Sequence, residues 1–357
     1  MTDVAGLVTA VREPSQAARA EAEHRQGLLA KPPGSLGRLE ALSLQLAAVA
    51  GRCPPPVSAR PALLVAAADH GVHAQQVSAW PQALSTAIAS GCVRGDSVAA
   101  VLASRSAVRL VVLDVGLMTP PPPPTGPGLR TRRVRAGTRN LLVEDAMTQG
   151  EAAQALLAGA DAAGELLDDG ADLLLLGEVG IANTTAAACL TGHLTGASAA
   201  EVTGPGAGAD DAALHRKTTV VASALARVGP QPDPLRVLAA LGGLEHAALV
   251  GAMLRAAAAG VPVLLDGVST TAAALVAVRL CPALPGYLIA SHRSAEPAAG
   301  VALAHLGLAP LLDLDLRLGE GSGALLALPL VQAAAVVLSD TGLISELQRP
   351  AAGRVGR

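Results

Sequence analysis

"ADLLLLGEVGIANTTAAA", Ala171 to Ala188, joins a short apolar run to a glycine-bearing turn and then to an Ala-rich helical segment. Four successive leucines bounded by turn signals read as a strand buried on both faces, because a half-buried strand would alternate with polar residues. The same phrase recurs in "PALLVAAADHGV" (Pro61–Val72), "VRLVVLDVG" (Val108–Gly116), "VPVLLDGVSTTAAALVAV" (Val261–Val278), "GYLIASHRS" (Gly286–Ser294) and "LDLDLRLGEGSG" (Leu312–Gly323). Buried strands alternating with helices specify an α/β fold, doubly wound around a mainly parallel, Rossmann-like sheet. Ligands of such folds sit at the carboxyl ends of the strands. The polar residues collect at those ends here, so one site assembled from many loops is expected.

Working outward, "VAGLVTAVREPSQAARAEAEHRQGLLA" (Val4–Ala30) and "RLEALSLQLAAVA" (Arg38–Ala50) carry apolar residues at helical spacing around a Pro/Gly break, "KPPGSLGRLE". The linker "RCPPPVSARP" separates them from the strand phrases. The expected division is a large α/β substrate-binding domain over 60–330 and a small helical domain from 1–59 plus 331–357. "MTPPPPPTGPGLRTRR" (Met118–Arg133) holds five consecutive prolines, which predict a stiff, exposed polyproline II loop at Pro120–Pro124. The last residues, "RPAAGRVGR", read as a frayed tail. The phrases differ too much in length for a solenoid.

Composition removes several classes of function. Of 357 residues 51% are hydrophobic and 15% charged, with no Phe, one Trp (Trp80) and one Tyr (Tyr287). Aromatic stacking platforms for nucleic acid are therefore lacking. A net charge of −3 and no basic run beyond "RTRRVR" argue against a polyanionic partner. Cys53, Cys92, Cys189 and Cys281 form no C-x-x-C pair in a chain without a signal-peptide start, which fits buried thiols in a cytoplasmic protein. The most apolar window, Gly321–Leu338, includes Gly, Ser, Gln and Pro, so it reads as a buried helix, and no membrane partner is expected.

Several turns carry candidate chemistry. "GEVGIANTT" offers Asn183, Thr184 and Thr185 as N-cap residues, so its helix N-terminus suits a phosphate; an ordinary capped turn is the alternative. "TGPGAGADDAALHRKTT" (Thr203–Thr219) leads into a helix bearing Lys217 but matches neither G-x-x-x-x-G-K-[ST] nor G-x-G-x-x-G. It suits an anion through backbone donors and one lysine, or is a solvated turn. "AADHGV" places Asp69 and His70 at a strand end, yet no H-E-x-x-H occurs and the other histidines show no ligand spacing. A histidine ordering its turn is expected there, and no metal. G-x-S-x-G is absent, and no cysteine sits in a nucleophile-elbow turn. Of the strand-end carboxylates Asp69, Asp114, Glu178, Asp266 and Glu320, the last has glycines at 319, 321 and 323, which allow close approach of a ligand. A carboxylate partly desolvated there makes a general base, and a charge complementing a helix dipole is the alternative.

Taken in order, "KPPGSLGRLE", "ADHGV" with "VSAWP", "GEVGIANTT", "LGGLEHAALVGAML", "VLLDGVSTTAAALVA", "SHRSAEPA" and "LLDLDLRLGEGSGALLALPLV" resemble the nicotinate-nucleotide–dimethylbenzimidazole phosphoribosyltransferases of cobalamin biosynthesis. The resemblance runs from about Lys31 to about Leu347. It implies transfer of phosphoribose from nicotinate mononucleotide to 5,6-dimethylbenzimidazole with anomeric inversion, giving α-ribazole 5′-phosphate and nicotinate. The departing ring nitrogen is already cationic, so no cofactor or metal is implied. By resemblance Glu320 is the catalytic base, Glu178 faces the nucleotide, and Leu318 and Ser78 border the base pocket. Gly180, Asn183, Thr184, Gly204, Gly206 and Lys217 match phosphate- and ribose-side positions, and Asp266 and Ser291 match ribose or phosphate contacts. A homodimer is also implied.

Three departures stand out. Ala182 replaces a family glycine, tolerable only where positive φ is not needed. Pro205 and Ala207 alter the second glycine-rich loop, and "PQALSTAIASG" after Trp80 alters the region expected to line the base pocket. Another lower-ligand base, whether benzimidazole, purine or phenolic, is thus the alternative acceptor, and a non-catalytic nucleotide-binding relative the alternative from another class.

Overall fold

Pro61–Ala68 (β1) is buried at every position, as a run covered on both faces must be. A computed structural model describes residues 3–122, 128–206, 208 and 210–347. Arg109–Gly116 (β2), Leu129–Thr131 (β3), Leu173–Val179 (β4), Val263–Leu265 (β5) and Leu288–Ala290 (β6) join β1 in one sheet of order β3-β2-β1-β4-β5-β6. Every pairing in it is parallel. This is the doubly wound order expected of the alternating phrases. The short β3, absent from those phrases, lies at the edge beside β2. The polyproline loop reaches past the described residues at Pro123, and Ala207 and the tail from Arg349 lie outside them.

The phrase "LDLDLRLGEGSG" departs from the strand reading. Only Leu312–Asp313 (β8) pairs, with His292–Arg293 (β7), in a separate two-stranded sheet. Leu314 and Leu318 are exposed and Asp315 takes a positive φ of 53°. The alternation therefore belongs to a surface loop. Beyond Leu312–Asp313 no strand pairs with this run among the described residues, so period-two spacing there does not carry strand formation.

Two compact units result, one of Met1–Arg12 with Arg60–Ala327 and one of Glu13–Ala59 with Leu328–Arg357. In the smaller unit, helices Gln16–Leu28 and Arg38–Ala50 enclose Ala22, Leu29, Ala47 and Leu338. There the "KPPGSLGRLE" turn is tied by Glu40, whose carboxylate accepts from Lys31 Nζ at 2.6 Å and Leu36 N at 3.1 Å. In the larger unit, helices Gln149–Asp168 and Leu244–Ala258 pack backbone to backbone. A β-carbon on Gly159 would stand 1.9 Å from Ala248 O, and one on Gly251 1.8 Å from Leu156 O, so glycine sets their separation. The helix Ser322–Asp340 is long and apolar enough to cross a membrane by length and composition, with a mean hydropathy of 1.9. Its buried residues Ala324, Leu325, Leu328, Val331, Ala335 and Leu338 recur at helical spacing, the pattern of a core helix.

Candidate active site

The strand order creates a crevice between the carboxyl ends of β1 and β4, where the connections diverge. The two ends touch: a β-carbon on Gly180 would lie 2.4 Å from Ala68 O and 3.4 Å from His70 Nε2. A cavity of about 550 Å³ opens here, a size suited to a small ligand. Val77, Trp80, Leu84, Ile88 and Leu318 supply its apolar lining. Ser78, Glu178, Asn183, Thr184, Glu296 and Glu320 supply most of the polar lining, with the backbone of Gly180 and Gly206.

Glu320 stands on an unusual turn. Gly319, Glu320 and Gly321 have φ of 87°, 62° and 85°, a left-handed run that glycine tolerates and glutamate disfavours. The surroundings hold it there. Glu320 N donates to Glu178 O at 3.1 Å and Gly321 N to Asp266 Oδ2 at 3.1 Å. Gly323 N and Ala324 N donate to Asp266 Oδ1 at 2.8 and 3.3 Å. Gly177 on β4 leaves the necessary space, because a β-carbon there would lie 2.4 Å from Gly321 N. The turn also brings the two predicted glutamates together: a β-carbon on Gly319 would stand 2.8 Å from Glu178 Oε1.

Burial pushes the Glu178 carboxyl well above the usual range, and the charges of Glu245, Asp266 and Glu320 push it the same way. The Asn183 side-chain amide donates to its Oε2. Burial also raises Glu320, but the Ala99 amide at 3.3 Å and the Ser97 side chain oppose that rise. Asp266 is pushed up to about 7 by burial against the pull of its backbone donors.

The loops expected to hold the nucleotide come together only in part. Thr184, Gly204, Gly206 and Lys217 converge: Lys217 Nζ donates to Thr184 Oγ1 and to Gly204 O, each at 2.8 Å. The lysine is 1% exposed, and desolvation lowers its pKa. Gly206 N, expected as a backbone donor for an anion, already donates to Glu296 Oε1 at 2.7 Å. The N-cap expectation fails. Ala182, not Asn183, caps the helix Asn183–Thr195, with φ 75° and no side-chain bond, while the Asn183 amide turns back to Glu178. Ala182 thus occupies the very conformation its replacement of glycine was expected to avoid.

Asp266 and Ser291 lie behind the cavity wall. Asp266 is 1% exposed with both oxygens bound to the 321–324 amides, and buried Ser291 Oγ stands 2.9 Å from His292 Nδ1. Both end strands of the sheet's far side, where side chains meet the Ser322–Asp340 helix start. Sequence reasoning missed Glu296, and also Arg317, whose Nη1 donates to Gly206 O at 2.8 Å. Both sit in quoted motifs, but only the fold sets them across from the 204–206 loop.

The histidines also gather where spacing gave no hint. His70, Glu245 and His246 are fully buried and, by atom type, could hold a metal ion. His70 Nε2 and His246 Nδ1 each lie 2.8 Å from the same Glu245 Oε1. Two ligands of one tetrahedral zinc stand about 3.4 Å apart, so these are hydrogen-bond separations. Gly243 N donates to His246 Nδ1 at 3.1 Å as well. Glu245 thereby ties the ring of His70, which abuts Gly180, to the Leu244–Ala258 helix.

Residues 11–346 match a family described as "Phosphoribosyltransferase". A nicotinate-nucleotide–dimethylbenzimidazole phosphoribosyltransferase of Salinispora tropica is 50% identical over 336 residues, 90% of this chain and 92% of its own. One from Chloroflexus aurantiacus is 46% identical over 91% of this chain and 92% of its own. The crystal structure of the Thermus thermophilus enzyme of that name superposes with a TM-score of 0.89 at 45% identity, covering 93% of this chain and 98% of the other. With half its residues identical to such a relative across 90% of its length, and a family match from 11 to 346, this chain belongs to the nicotinate-nucleotide–dimethylbenzimidazole phosphoribosyltransferase family.

Proposed function

We propose that the protein transfers the phosphoribosyl group of nicotinate mononucleotide to 5,6-dimethylbenzimidazole, releasing nicotinate and α-ribazole 5′-phosphate. The observation that carries this reading is the placement of Glu320 and Glu178 at one cavity whose lining is apolar around Trp80 and polar around Thr184. The free imidazole nitrogen attacks C1′ from the face opposite nicotinate, so the anomeric centre inverts. The C1′–N bond to the pyridinium breaks as its electron pair returns to the ring, which leaves neutral. The proton on the other imidazole nitrogen passes to Glu320, the general base. Glu178, its carboxyl pushed well above the usual range by burial and the neighbouring carboxylates, faces the nucleotide side.

Ser78 and Leu318 border the base, and Gly180, Asn183, Thr184, Gly204 and Gly206 the ribose and phosphate, in this reading. Lys217 compensates the phosphate charge from behind Thr184 and Gly204, with Glu296 fixing the loop. Asp266 and Ser291 act through the turns they bind. A homodimer completes the proposal and is checked by sedimentation velocity.

Incubation with nicotinate mononucleotide and a panel of benzimidazoles, purines and phenols, following nicotinate release and α-riboside formation, tests the activity. Turnover with dimethylbenzimidazole is expected, and none with any base would refute it. Glu320→Gln is expected to lose about 10²-fold or more of kcat with nucleotide affinity kept. Near wild-type turnover in that variant would remove Glu320 from the role of base.

A further inference from the structure

A phosphate seated beside Gly204 and Gly206 brings about two negative charges at pH 7. The cavity around it is short of positive charge. Its lining holds the carboxylates of Glu178, Glu296, Asp315 and Glu320, and among the described residues a single lysine or arginine, Arg317. Burial lowers His292, also in the lining, to about 4, so the imidazole carries no charge at pH 7. Lys217 acts only from behind the wall. It is 1% exposed, its Nζ is engaged by Thr184 Oγ1 and Gly204 O, and Glu296 Oε2 stands 3.9 Å away and offsets its charge.

Arg317 is placed differently. It is exposed, and among the described residues no carboxylate pairs with it and its one side-chain bond runs from Nη1 to Gly206 O at 2.8 Å. That bond holds the guanidinium over the glycine-rich loop, while Gly206 N donates to Glu296 on the other side, and it leaves most of the guanidinium donors for a ligand. The arginine also belongs to the turn that ends in Glu320, three residues further on. Leu316 O, just before it, accepts from Ala295 N at 3.0 Å, and Glu320 N donates to Glu178 O at 3.1 Å, so the segment between is held at both ends.

We propose that Arg317 contacts the nucleotide phosphate and that this contact helps to set the turn carrying Glu320. The proposal rests on the reading of nicotinate mononucleotide as donor. A guanidinium can offer phosphate two parallel N–H groups, which an ammonium cannot. Binding energy from a group remote from the reacting bond is then used at the reacting centre, and so raises kcat as well as affinity.

The test is kcat and KM of wild type, Arg317→Met and Arg317→Lys with nicotinate mononucleotide and with nicotinate riboside, dimethylbenzimidazole being the acceptor. Arg317→Met is expected to lose about 10- to 100-fold of kcat/KM with the mononucleotide, part of it in kcat, and about threefold or less with the riboside, which gives the guanidinium nothing to hold. Arg317→Lys falls between. Inhibition by ribose 5-phosphate and by ribose makes the same comparison without chemistry: Arg317→Met is expected to weaken only the former. Equal losses with both donors would show that Arg317 merely braces the 204–206 loop, and no loss with the mononucleotide would show that it does nothing; either overturns the phosphate contact. A loss confined to KM for the mononucleotide overturns the link to Glu320. Wild-type protein inactive with every base would overturn the reading of the donor itself.

Discussion

Gly177→Ala probes the site from a position that touches no ligand. Gly177 lies within β4, opposite Val65 of β1, where parallel pairing on both sides of β1 fixes the backbone. Its added β-carbon would stand 2.4 Å from Gly321 N, 2.5 Å from Glu320 C and 2.6 Å from Glu320 O, whereas ordinary contact begins at 3.4 Å. The turn must retreat by about 1 Å, since the strand cannot. That lengthens the 3.1 Å bonds from Glu320 N to Glu178 O and from Gly321 N to Asp266, and it moves the Glu320 carboxylate. A misplacement of about 1 Å costs on the order of 10²-fold in rate, or about 2.7 kcal/mol of barrier. Overpacking of this kind costs about 1–3 kcal/mol of stability. The assay is steady-state turnover of nicotinate mononucleotide with dimethylbenzimidazole beside urea denaturation. A folded variant with kcat down about 10²-fold is expected. Turnover within threefold of wild type would show that the turn does not need the space at 177.

Ala182→Gly should relieve the left-handed strain at φ 75° and raise stability by about 0.5–1 kcal/mol in chemical denaturation, with turnover retained; a loss of stability would refute the strain. Glu151 is lowered to about 2 by Arg139 and further by Thr148 N and Arg135, so its contribution to stability is fully present above about 4.5 and is lost as pH falls toward 2. Discounted for partial exposure, Glu151→Gln should cost about 2 kcal/mol at pH 7, and nearly 1 kcal/mol less at pH 4, by urea titration at both values. A penalty that does not shrink on acidification would place it in packing instead of charge.

Much of the large unit was legible in the chain itself. Runs such as "LLVAAA" and "LLLL" lack alternation because both their faces are covered, and that alone specifies a parallel sheet with helices on each side. The exception was "LDLDLRL", where period two suggested a strand and the fold made a surface loop, because alternation describes a surface and not the presence of a partner. The caps differ as well: Thr148 with Glu151 forms a capping box, whereas the helix after "GEVGIA" begins on an uncapped alanine. There the neighbouring Glu178 outcompeted the helix end for the Asn183 side chain.

The sequence by itself determined the long strands of the sheet and the set of loops at its carboxyl edge, since these follow from apolar spacing, whereas Glu178 and Glu320 were singled out among the strand-end carboxylates by the family resemblance. Only the tertiary structure decided what each polar group is used for. Asp266 became the clamp of a turn, Lys217 a buried support, Glu296 and Glu245 anchors for loops, and the Ala99 amide a partner of Glu320. Each of those assignments depends on contacts between residues far apart in the chain, many of them buried where every donor and acceptor must find a partner. Which partner it finds is set by the strand order, and spacing along the chain carries no record of it.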